Sequence, residues 1–206
     1  MKESAIVWTA LVPWLLLWWI FQRVIGRRGC GAALVSGVVA LAAVWFPWFG
    51  HALPYWSASL SANFSVVMVL LLAVGIFDRA QGAGLFRAGD WRAAWIFGAV
   101  AAVLLYPSAL GLGPRNFDAY ALGWPWLFWG QSGVLFGAVA AVAAGLILGG
   151  NRFGYVLLVA MAGYATGFQE STNAWDYLMD PVYGAVALLW VLWKLGRVDR
   201  LMKKRG

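Results

Sequence analysis

The chain predicts an all-α fold, a polytopic membrane helix bundle of about seven transmembrane helices, on three observations. Of its 206 residues 63% are hydrophobic and only 11% charged, with mean hydropathy +0.76, whereas ordinary globular domains carry about 25% charged residues. The apolar residues gather into seven runs near the roughly 20 helical residues that a ~30 Å hydrocarbon core requires. The loops between those runs alternate in charge. Arg23, Arg27 and Arg28 share one loop, Arg79, Arg87 and Arg92 another, and Arg152 a third, while the tail carries Lys194, Arg197, Arg200, Lys203, Lys204 and Arg205. The intervening loops hold Arg115 alone, with Asp118, Glu170, Asp176 and Asp180. By the positive-inside rule the basic loops face the cytoplasm, which puts the N-terminus outside and the C-terminus inside.

The first span, 5–22, has Lys2 before it and resembles a signal peptide. No small-residue cleavage site follows, and Gln22, Arg23 and Arg27-Arg28 form a stop-transfer flank, so it is expected to remain a spanning helix, bent at Pro13. The second, 30–49, opens at Cys30. A lone cysteine excludes an intrachain disulfide and a multi-cysteine metal cage, leaving a small packing residue. The third covers 60–77. The fourth, 93–112, contains Pro107. The fifth, 126–149, follows Pro125, which suits a first helical turn.

The sixth span, 153–169, is the shortest and needs 167–172 to complete a crossing. Gly163-x-x-x-Gly167, with the small residues from Gly137 to Gly145, predicts close packing of the fifth and sixth helices within the monomer. The seventh, 181–196, starts at Pro181 behind Asp180, an N-cap followed by proline at the first helical position. Leu195, Val198, Leu201 and Met202 recur at helical spacing, so this helix is expected to run on into the basic cytoplasmic tail, 197–206. Residues 1–206 thus read as one transmembrane domain.

The 15 tryptophans support these limits, because indoles favour the headgroup level. Trp45, Trp48, Trp56, Trp124, Trp126, Trp129 and Trp175 fall at the predicted outer edge, and Trp91, Trp95, Trp190 and Trp193 at the inner edge. Trp8, Trp14, Trp18 and Trp19 spread along the first span without an assigned level. Runs this long with no two-residue alternation exclude a β-barrel, and no internal repeat supports an inverted-repeat transporter. The net charge of +7 divides into 13 basic and 3 acidic residues on the inner side, against 2 basic and 5 acidic on the outer. That is a topology signal and an attraction to membrane lipids; with no basic face interleaved with stacking aromatics, nucleic acid is excluded as a partner.

Polar chemistry concentrates in the outer loops. From Gln169 to Pro181 the chain offers Glu170, Asn173, Asp176, Tyr177 and Asp180, and a helix there would put Glu170, Asn173 and Asp176 or Tyr177 on one face. A second loop adds Arg115, Asn116, Asp118 and Tyr120, and a third His51, Tyr55 and Trp56. Each has a plain structural reading too: Asp180 as a cap, Asn116 and Asp118 as turn formers, His51 as an interfacial polar residue. Glu170 lies nearest the end of an apolar span, and carboxylates at membrane depth are usually functional; if the sixth helix ends at Gly167, Glu170 is merely solvated. Glu170, Asn173 and Asp176 are expected to face the Arg115–Asp118 loop, with Arg115 pairing one acid.

Zinc-spaced ligands, a phosphate-binding Gly-x-x-x-x-Gly-Lys loop and a Gly-x-Ser-x-Gly elbow are all missing, so the sequence assigns neither a metal nor a cofactor. The function it predicts is a non-enzymatic subunit or assembly factor of an envelope complex in the bacterial cytoplasmic (inner) membrane. The alternative is an enzyme or transporter handling a lipid-linked or glycan ligand at the outer face, where carboxylates and Asn bind hydroxyls and Trp and Tyr stack. Ion-coupled transport is disfavoured, since the middles of all seven runs lack ionisable residues.

Overall fold

The computed structural model describes residues 3–26, 28–60, 64–82, 84–112, 118–124 and 131–202. The protein is all-α, 78% helical, with no strand among the described residues. Its elements are α1 (Glu3–Ile25), α2 (Cys30–Trp45), α3 (Leu53–Leu60), α4 (Val66–Gln81), α5 (Ala88–Ala109), a 3-10 turn η1 (Ala119–Gly123), α6 (Gln131–Leu148), α7 (Phe153–Ala165), the single turn α8 (Trp175–Leu178) and α9 (Pro181–Met202). A helix occupies each of the seven apolar runs. Two of them, α1 over Trp8–Ile25 and α5, are long and apolar enough to cross a membrane, while α2, α6 and α7 are shorter apolar helices.

The limits differ from the expected ones where local chemistry intervenes. The run expected at 60–77 starts instead at Val66, because Ser65 caps α4 by accepting the Met68 N–H at 3.1 Å; residues 53–60 form the separate helix α3. The run expected to 169 stops at Ala165. Gly167 turns left-handed at φ 63°, and the Phe168 N–H closes back on Gly163 O at 3.0 Å, so α7 ends in a glycine cap and borrows nothing from 167–172. Pro13 and Pro107 lie inside α1 and α5 as expected. Pro181 opens α9, which continues to Met202. Pro125, Trp126 and Trp129 lie outside the described residues.

Long-range hydrogen bonds sort the loops into two ends. At one, Arg79 donates to Gln22 O (2.9 Å) and Gly26 O (3.2 Å), joining the α1–α2 and α4–α5 connections. Arg152 adds the α6–α7 turn through Gly84 O and Leu85 O, and Asn151 through Gly89 O. The three basic loops therefore meet. At the opposite end Phe64 O accepts from Trp8 Nε1 and Gln169 Nε2, both at 2.7 Å, and Ser57 Oγ donates to Thr9 O.

Between the ends, indoles fasten α1 to α2. Trp14 Nε1 donates to Gly37 O (2.9 Å) and Trp18 Nε1 to Ala33 O (2.7 Å). A Cβ on Gly37 would lie 2.9 Å from the Trp18 ring, so the absent side chain is what lets the indole seat. Of the tryptophans with no level assigned from sequence, Trp14 and Trp18 are thus helix–helix fasteners. The α6–α7 contact expected from small residues is present, yet Gly154 makes it: its Cβ would meet Ala143 O at 2.6 Å. Gly137 and Gly145 face open space, as does Gly167, and Gly163 faces Tyr177 and Val66. Glycine spacing identified the helix pair but not the contact, because spacing carries no information about which face turns inward.

Candidate functional site

The polar loop at the acidic end is organised around two buried side chains. Tyr177, fully buried, holds its hydroxyl against the 169–171 backbone, accepting the Gln169 N–H at 3.0 Å and lying 3.2 Å from Gln169 O and Ser171 O. Asn173, 1% exposed, turns its Oδ1 onto the Trp175 N–H (2.9 Å) and donates from Nδ2 to Tyr120 O (3.0 Å). Trp175 Nε1 donates to Ala119 O, and the Ala174 N–H to Gly123 O, both at 2.9 Å. Three bonds thereby stitch α8 onto η1. A Cβ on Gly123 would sit 1.8 Å from Asn173 Oδ1, so glycine is required for this approach.

Tyr120 links the acids. Its phenol donates to the Asp176 carboxylate, lying 3.0 Å from both oxygens, and the Ser171 hydroxyl closes on the same group. Asp118 accepts the Tyr120 N–H at 2.9 Å and caps η1. Burial, and then the Asp176 charge, push the Tyr120 phenol well above its usual value, so it stays a donor. Asp176 consequently acts as an acceptor satisfied by two hydroxyls.

The expected face of Glu170, Asn173 and Asp176 does not exist in helical form. Residues 169–173 are non-helical, and only 175–178 make a turn. Asn173 and Asp176 meet η1, whereas Glu170 is exposed to solvent. His51 belongs to a separate aromatic group, stacked on Tyr55 at 4.1 Å and edge-on to Trp56. Arg115 and Asn116, and with them the expected Arg–carboxylate pair, lie outside the described residues. Comparison with family models, curated proteins and solved structures finds no match for this chain.

Chemically the arrangement is a set of fasteners. General acid–base work needs a titratable pair with room between for a substrate, and here the half-buried carboxylate of Asp176 accepts the Tyr120 and Ser171 hydroxyls. No group of three or more His, Cys, Asp or Glu converges among the described residues. Tyr120 escaped the sequence reading as the hub because a tyrosine in a Gly/Pro loop carries no local sign of its partner 56 positions away. Ser65, which meets Asp180, was missed for the same reason.

Proposed function

We propose that the chain spans the bacterial cytoplasmic membrane seven times, N-terminus outside, and serves as a non-enzymatic subunit or assembly factor of an envelope complex. The convergence of Arg79, Arg152 and their loops at one end of the bundle supports alternate threading, and the basic character of that end supports the orientation. The observation that carries the non-enzymatic reading is the occupation of Asp176 and Asn173 by Tyr120, Ser171 and backbone groups, so that the outer polar residues hold loops together.

A strain lacking the protein and complemented with Glu170→Gln or Asp176→Asn tests this. Retained function at normal membrane levels is expected, together with a detergent-solubilised particle whose protein mass, after bound detergent is subtracted, exceeds the 22.4 kDa chain. A second reading, an outer-face site for a glycan or lipid-linked ligand, draws on the Tyr120–Trp124 ring pair at 6.3 Å beside exposed Asp118, with Glu170 also exposed. Loss of function in both variants, with the protein still accumulating, would favour it.

A further inference from the structure

Two cavities with linings of different kinds adjoin near the basic end, the first reaching along the bundle as far as Met68 and Val182. The first, about 390 Å³, is an apolar slot between α1, α4, α5 and α9, walled by Leu16, Trp19, Leu72, Trp95, Val186 and Trp190 among others. Its volume falls in the usual range for small-molecule sites, about 300–1,000 Å³. The second, about 340 Å³, is a basin lined by Arg23, Arg28, Asp78, Arg79 and Phe86 with several glycines. Arg23 and Trp91 line both. Gly75, which lines the second, packs closely against Trp19 and Trp91: a Cβ there would lie 2.9 Å from Trp19 Nε1 and 3.6 Å from Trp91.

The charges of the basin are unequally engaged. Both oxygens of Asp78 accept backbone N–H groups, from Leu85 and Phe86, which turns them toward the chain. Arg79 is spent on the carbonyls that end α1. The Arg23 guanidinium carbon lies over Trp19, 3.9 Å from the ring centre, and the group lines the basin. Arg28 is exposed and lines the same basin. One turn beyond Trp190, Lys194 Nζ sits 5.6 Å from that ring. A slot for hydrocarbon thus shares Arg23 and Trp91 with a basin of guanidinium groups.

We infer that this paired slot and basin binds one anionic phospholipid of the inner leaflet, its phosphate held by Arg23 and Arg28 and an acyl chain laid along Trp19, Trp95 and Trp190. Guanidinium groups match phosphate oxygens in geometry and charge, and aromatic walls offer flat apolar surface to methylenes. The inference rests on the proposed orientation only for the choice of leaflet; binding itself is read in detergent.

The experiment is native mass spectrometry of the full, delipidated chain offered phosphatidylglycerol or phosphatidylcholine with identical acyl chains, with glycerol 3-phosphate as a headgroup-only arm. Phosphatidylglycerol should be retained about tenfold better than phosphatidylcholine, and glycerol 3-phosphate should not displace it. Arg23→Gln with Arg28→Gln should erase the preference. Val186→Trp, at a slot residue 45% exposed, should lower retention of both lipids without unfolding the chain. Equal retention of the two lipids, or a preference that survives the double arginine variant, overturns the site, as does undiminished retention in Val186→Trp. Displacement by glycerol 3-phosphate would reassign the basin to a free phosphate compound and overturn the lipid. A wrong orientation would leave these results intact and show itself separately, in thiol labelling from outside the cell.

Discussion

Asp180 and Ser65, 115 positions apart, share one buried carboxylate oxygen: Asp180 Oδ2 accepts both the Ser65 N–H at 3.0 Å and the Ser65 hydroxyl at 2.6 Å. The other oxygen accepts the Tyr183 N–H at 2.9 Å, while Ser65 Oγ itself accepts from Met68 N. One side chain therefore caps α9 directly and α4 through its serine. Charge-assisted bonds of this kind satisfy the N–H groups that a helix start leaves open.

Replacing Asp180 with Ala is expected to destabilise the protein by about 2–4 kcal/mol, combining a lost N-cap with buried donors left unsatisfied. Asp180→Asn keeps acceptor capacity at one oxygen and should cost less. Thermal unfolding of the purified chain in detergent checks this; equal losses for Ala and Asn would show that the cap geometry contributes little.

Cys30 provides a built-in marker of orientation. It is exposed, at the start of α2, and its thiol faces Ala80 O at the basic end. A membrane-impermeant maleimide should leave it unlabelled in intact cells and label it after permeabilisation. Labelling in intact cells would invert every loop assignment.

The Tyr120 phenol makes an alkaline prediction. Its value is raised above the ordinary 10.0 by burial and by Asp176, so the folded state holds this proton more tightly than the unfolded one. Its contribution is complete below pH 10.0 and is lost as pH rises further, because the unfolded chain then releases the proton first. Tyr120→Phe should flatten part of the stability loss measured above that pH. An unchanged alkaline limb would mean that Tyr120 ionises no differently in the two states.

The positions of the helices in the seven apolar runs, though not α3, and the partition of charge were legible in the sequence, because each depends on local composition: an apolar run becomes a helix, and basic residues accumulate in alternate loops. Asp180 as a cap was legible too, since its neighbour Pro181 marks a helix start. The bounds of α4 and α7 were not, since Ser65 and Gly167 end the pattern by single-residue geometry inside apolar surroundings. Tertiary structure alone decided the partners. The join of Tyr120 to Asp176, of Asn173 to η1, and of Arg23, Trp91 and Trp190 around one slot each spans dozens of residues or more. Hydropathy places tryptophans at a depth along the helix axis. Which neighbour an indole faces depends on how helices rotate and cross, and that is set by close packing at positions such as Gly37, Gly75 and Gly154, where a missing Cβ admits another element.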